Sequence, residues 1–307
     1  MKTHRIRSAV TIFITMISVL TTQTGITGDA NPIVTGLGNA TYTGIEDLPL
    51  TLSNGHWEGP PYVEDGASRP RAGLLKDIYF SGDLDADGQE EIVAILWQSA
   101  GGTGSNTYIA VMKPENEGFE NISTTLIGDR VKLRGGKIDS GQIYLEVLQA
   151  GEGDPMCCPT QLATRSWSLN DTKLEENVME VTGKLSPDAL NGSEWLLTRI
   201  DNGQPLAEDT VVTLSFEAGR ISGKSACNRY SASITEGENP GDILIGPTMG
   251  TRMACPDHLM EMESLYLASL AQVTRFSFNS GNLVLIGQEQ DGVSISMFFT
   301  PAGTLRK

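Results

Sequence analysis

The chain has 307 residues, of which 39% are hydrophobic and 20% charged, with 34 glycines and a formal charge of −16. Its length corresponds to about two ordinary domains, and its apolar content exceeds that of disordered chains. The acidity excludes a nucleic-acid binder, which needs a basic stripe to neutralise phosphates.

At the start, Lys2, Arg5 and Arg7 precede the apolar run Ala9–Leu20, and small or polar residues lead to Asp29 and Ala30. That order reads as a secretory signal over residues 1–30, cleaved after Ala30. The run is too short for a permanent span, and no cysteine lies near the cleavage point, so neither an integral span nor a lipid anchor is expected. Export removes three basic residues and one acidic one, which leaves the mature protein more acidic still. A periplasmic or secreted location in a bacterial cell envelope follows.

From 31 to 170, short apolar runs alternate with turn signals. Strands are expected at Leu48–Leu52, Leu74–Phe80, Ile92–Gln98, Tyr108–Lys113, Thr125–Ile127, Val131–Leu133, Ile143–Leu148 and Thr164–Leu169. The polar, acidic stretch 171–189 reads as a linker. A second β pattern begins at Trp195 and continues through Val212–Phe216, Arg220–Ala226, Thr274–Phe278, Asn282–Ile286 and Val293–Thr300. One helix interrupts it. Pro256 stands at its start, Asp257 and Glu261 sit where the dipole favours anions, and Leu259, Met262, Tyr266 and Leu270 form an apolar stripe. The fold class is therefore mostly β: two antiparallel domains, 31–170 and 190–301, with a tail at 302–307.

Export favours disulfides among Cys157, Cys158, Cys227 and Cys255. Cys227 and Cys255 stand 28 positions apart in one domain, a loop whose closure stabilises by about 3–4 kcal/mol in the chain-entropy model. Cys157 and Cys158 are then left as a vicinal disulfide, as free thiols, or for pairing with another chain, within a turn ended by Pro159.

The sharpest local motif is Asp83-Leu84-Asp85-Ala86-Asp87-Gly88-Gln89-Glu90-Glu91. Oxygens at positions 1, 3 and 5, glycine at 6, a carbonyl at 7 (Gln89) and an acid at 9 (Glu91) match the front of a calcium loop. Position 12 is Ala94 rather than the bidentate Glu of an EF-hand, and a strand follows, so the loop resembles the calcium loops between strands of FG-GAP-type repeats. The competing reading is an Asp-rich turn held by its own hydrogen bonds. Gly219–Ser225 is one residue short of a phosphate loop and has no helix to receive phosphates. After cleavage two histidines remain, His56 and His258, so a hydrolase would have to use one of them. Zinc spacing is absent.

The C-terminal region resembles a known family. Ser193–Leu197, Gly223–Tyr230, Gly246–Thr248, Thr251–Pro256 and the helix that follows are similar to the META (HslJ-like) domain, over about 190–301. The resemblance implies a small antiparallel β domain with one helix, a Cys227–Cys255 disulfide, and envelope or secreted proteins linked to stress tolerance, with no reaction attached. Asn39–Tyr42 through Cys157–Thr160 resembles, less specifically, a β domain found ahead of META domains in bacterial envelope proteins. In physical terms Asn228 bridges a turn, while Arg229, Tyr230 and Arg252 would form an interaction patch if they cluster. The expected protein is a non-catalytic envelope module that binds an unidentified envelope protein or small ligand. Its rivals are a calcium-stabilised recognition module and a hydrolase.

Overall fold

The computed structural model describes residues 31–155, 157–201, 206–207, 209–288 and 292–304; the expected leader lies outside them. The N-terminal half opens with α1 (Pro32–Leu37) and the small strands β1 (Thr41–Tyr42) and β2 (Leu50–Thr51). It continues through β3 (His56–Glu58), β4 (Arg71–Gly82), β5 (Glu91–Ser99), β6 (Asn106–Glu115) and β7 (Gly118–Asp129), an antiparallel five-stranded sheet in sequential order. A second, four-stranded sheet follows from β8 (Lys132–Asp139), β9 (Gln142–Gln149), β10 (Gln161–Asn170) and β11 (Lys173–Lys184).

The apolar run of β5 does not alternate, because both faces of that strand are covered. Val93, Ile95, Ile109 and Val111 share one core with Leu133, Ile143, Leu145, Val147 and Trp167 of the four-stranded sheet. On the opposite face, Ala94, Leu96, Ala110 and Met112 are covered by Leu37, Tyr42, Leu50 and Leu52. Each large side chain buried this way stabilises by about 1.5–3 kcal/mol before entropy is counted.

Residues 171–189 are not a linker. Most of them form β11, paired with β10 from Asn170↔Lys173 to Gln161↔Lys184. The polar composition misleads because β11 is an edge strand: only Leu174 is buried, and Glu176 serves as the carboxylate for the buried Arg165, at 2.7 Å. Pro187–Leu190 then makes a 3₁₀ turn.

The C-terminal half contains β12 (Glu194–Ile200), β13 (Thr213–Glu217), β14 (Arg220–Lys224), β15 (Arg229–Glu236), β16 (Ile243–Ile245) and β17 (Met249–Gly250). These are followed by α2 (Asp257–Leu270), β18 (Val273–Asn279), β19 (Asn282–Gln288) and β20 (Ser294–Pro301). The sheet order is β16-β15-β14-β13-β12-β20-β19-β18, with β17 beside β15. An Asp242↔Arg275 bridge brings the two ends together, so the sheet is nearly a closed barrel. Tyr266 and Leu270 of α2 are fully buried in its core, with Leu259 and Met262 packed against it. Pro256 is the cap residue immediately before the helix.

The two halves are joined by more than the chain. Leu148, Leu162 and Leu185 lie in the C-terminal core. Arg134 stacks over Phe278 at 4.9 Å and donates to the Ala189 carbonyl at 3.0 Å, and Lys132 donates to Ser277 at 3.0 Å. The described residues from Pro32 onward accordingly form one compact unit.

Candidate functional site

The loop between β4 and β5 is an Asp-rich coil whose backbone amides are turned inward onto its own carboxylates. Asp83 Oδ2 accepts the Gly88 N–H at 3.1 Å, Asp85 Oδ1 accepts that of Asp87 at 3.0 Å, and Asp87 Oδ1 accepts that of Gln89 at 2.8 Å. Gly88 has φ +85, a conformation that an L side chain adopts only with strain, which explains the glycine at the sixth position. Glu91, the first residue of β5, is 1% exposed and accepts the Leu84 N–H through Oε2 at 2.9 Å. Leu84 is itself buried in the core between the two N-terminal sheets.

One carboxylate oxygen from each of Asp83, Asp85 and Glu91 lies within 4.8 Å of the others. Two of the group's oxygens, Asp83 Oδ1 and Glu91 Oε1, are buried with no hydrogen-bond partner. Of the five residues expected to bind calcium, these three converge. Asp87 instead pairs with Lys113 at 2.6 Å, and Gln89 is exposed. Lys113, at the end of β6, also stands 3.8 Å from Asp85. Its hydrogen bond holds the Asp87 carboxyl below its ordinary range, and that same bond raises the Lys113 ammonium. Lys113 carries no signal in sequence, because only the antiparallel pairing of β5 with β6 brings it to the loop.

The second polar centre lies in the C-terminal barrel. Asn228, 3% exposed, accepts from Thr251 Oγ1 at 2.8 Å and from the Met253 N–H at 2.7 Å, and donates to Met253 O at 3.2 Å and Glu263 Oε1 at 3.0 Å. Glu263 Oε2 also accepts the Asn228 N–H and the Ser225 hydroxyl, each at 2.7 Å. Partial burial alone would raise the Glu263 pKa, but these bonds hold it below its ordinary value. Sequence reasoning missed Glu263. Its signal was a charge at the helical spacing that shares a face with Leu259, Tyr266 and Leu270.

Arg229, Tyr230 and Arg252 border one groove, but only the two arginines present exposed side chains there. Tyr230 is 4% exposed, its hydroxyl bonded to Tyr266 at 2.5 Å and to Thr213 O at 3.1 Å, because alternation along β15 turns it into the barrel. Arg229 and Arg252 are exposed and line one groove with Thr248 and Thr251.

Cys227 and Cys255 form a disulfide with Cα atoms 6.0 Å apart, tying the turn between β14 and β15 to the segment just before α2. Cys157 and Cys158 form a vicinal disulfide. Their loop is closed by Asp154, which accepts from the Gly151 and Thr160 backbones at 2.8 and 2.7 Å. The histidines stand apart from this chemistry. His56 is exposed on β3 against the edge of Trp97, and His258 pairs with the exposed Asp209 at 2.8 Å.

Among the described residues, no helix is long and apolar enough to cross a membrane. No curated protein matches the chain. A solved structure described as the NMR structure of the protein from Burkholderia xenovorans is similar at 23% identity with a TM-score of 0.30, covering 38% of this chain and 86% of that one. Residues 188–297 match the META domain family, so the barrel and helix that carry Asn228, Glu263 and the Cys227–Cys255 bridge constitute a META domain.

Proposed function

We propose that this protein is an exported, non-catalytic module of the bacterial cell envelope that supports stress tolerance by binding a partner protein or small ligand. The observation that carries this reading is the use to which the META motif's polar groups are put. Asn228, Glu263 and Tyr230 are all engaged in internal hydrogen bonds, which is how a scaffold is fixed rather than how a reactive group is presented. Two exposed cations, Arg229 and Arg252, share one groove of an acidic chain. Guanidinium groups so placed recognise carboxylates by paired hydrogen bonds.

The signal-like start and the two disulfides support an oxidising compartment. The test is complementation of a deletion strain under envelope stress. His56→Ala and His258→Ala should each restore tolerance fully, while the Arg229→Ala/Arg252→Ala double variant, recovered folded from the periplasm, should not. Loss of tolerance in a folded histidine variant would instead favour the hydrolase reading.

A further inference from the structure

We propose that the loop from Asp83 to Glu91 is a calcium site that fastens the two N-terminal sheets to each other. An acidic turn alone would not require this. The second observation is Glu91: it is 1% exposed, yet its Oε1 has no hydrogen-bond partner, and Asp83 Oδ1 in the same cluster is also buried and unpartnered. An ionised carboxylate oxygen buried without a partner is expensive. Lys113 makes its ion pairs with Asp87 and, at 3.8 Å, Asp85; its attraction to Glu91 is the weakest of its electrostatic contacts and gives Oε1 no hydrogen-bond partner. A cation seated among Asp83, Asp85 and Glu91 would satisfy both oxygens at once.

The chemistry selects the ion. All the donors are oxygens, which suits a hard cation, and the set contains no nitrogen or sulfur for zinc or copper. Oxygens that all lie within 4.8 Å of one another can share one calcium ion, whose ligands at about 2.3–2.6 Å stand up to roughly 5 Å apart across it and whose flexible geometry tolerates an irregular set. Magnesium demands near-ideal octahedral geometry with shorter bonds and gives up its waters reluctantly.

The position of the site gives it a structural consequence. Glu91 holds the backbone of Leu84, whose side chain enters the core shared by the five-stranded and four-stranded sheets. The loop also lies beside the β8–β9 turn, where the space at Gly141 borders the carbonyls of Asp83 and Leu84. Bound calcium would thus stiffen the contact between sheets rather than an isolated turn. This inference is independent of the proposed envelope function.

The experiment is calorimetric titration and thermal melting of the purified protein, stripped with a chelator and then given calcium or magnesium alone. Calcium at about a hundredfold excess over its Kd should raise the melting temperature by roughly 5 °C or more, with a smaller response to magnesium. Glu91→Gln keeps an acceptor for the Leu84 N–H but loses the charge, and should remove the calcium shift. Asp85→Asn, at an exposed position, should weaken binding at least tenfold and serves as the decisive variant if Glu91→Gln does not fold. Absence of binding heat and of any shift at millimolar calcium would overturn the proposal and return the loop to an ordinary turn, as would an Asp85→Asn variant that binds calcium with unchanged affinity.

Discussion

Two carboxylates sit at comparable structural joints in the two halves of this protein, and they are treated in opposite ways. Glu263 on α2 receives three hydrogen bonds from neutral donors, which occupy both its oxygens. Glu91 at the start of β5 receives one, from Leu84, and leaves its other oxygen buried and unpartnered. A carboxylate satisfied by neutral donors holds its surroundings together without a counter-ion. One left half-satisfied beside further acids, in a medium of low dielectric, calls for a cation. The META domain is by this measure a closed scaffold, and the N-terminal loop an open coordination shell.

The largest effect expected from breaking the closed scaffold comes from its covalent tie. Replacing Cys227 and Cys255 with serine should cost about 3–4 kcal/mol in denaturant unfolding, from the entropy returned to a loop of this length. Next comes Asn228→Ala, which strips acceptors from the Met253 N–H and Thr251 hydroxyl and a donor from Glu263. Leaving such buried groups unpaired should cost about 2–3 kcal/mol. Neither change touches the Asp83–Glu91 loop, so the calcium-dependent shift in melting temperature should persist in both. A variant of the META domain that lost the shift would show that the two centres are not separate.

A pH series sharpens the contrast without removing any contact outright. The folded pKa of Glu263 lies below its ordinary value of 4.5, since the bonds from Ser225 and Asn228 outweigh its partial burial. Stability from that carboxylate is therefore complete above the unfolded pKa and is lost as pH falls through the folded one. Melting temperature should drop through this acidic window in the wild-type protein and drop less steeply in Glu263→Gln. Equal slopes would mean that Glu263 is not the titrating support of the cluster.

How far each centre could be read in advance depends on which physical pattern encodes it. Turn signals and short apolar runs located most strands, and the Cys227–Cys255 spacing anticipated the bridge, because these are local properties. The loop's glycine and alternating acids were visible for the same reason. Hidden from view were features that depend on how strands meet. β11 looked like a linker because an edge strand exposed on both faces has no apolar alternation. Tyr230 looked like a surface aromatic until the register of β15 turned it inward beside Tyr266. Lys113 could not be connected with Asp87 before β5 and β6 were paired. The burial of Glu91, the fact on which the metal inference turns, is likewise set by a tertiary contact that no residue spacing specifies.

Lys113 also offers the finest test of the open shell. Its ammonium lies 2.6 Å from Asp87 and 3.8 Å from Asp85, so it acts as a tethered positive charge at the mouth of the site while Asp83 and Glu91 face inward. An incoming calcium ion meets that charge as repulsion, and must also compete with it for the Asp87 carboxylate that the calcium-loop pattern assigns to the ion. Lys113→Met keeps the aliphatic stem and removes the charge. Calcium binding should then tighten by about two- to fivefold, a range set by screened Coulomb repulsion between the ammonium and a nearby cation in a solvent-exposed setting. The gain should be larger at low ionic strength, and titration at two salt concentrations would resolve it. Weaker binding in Lys113→Met would mean that the lysine positions the acids for the metal instead of competing with it. Unchanged binding would place Asp87 outside the coordination shell and leave Asp83, Asp85 and Glu91 as its protein ligands.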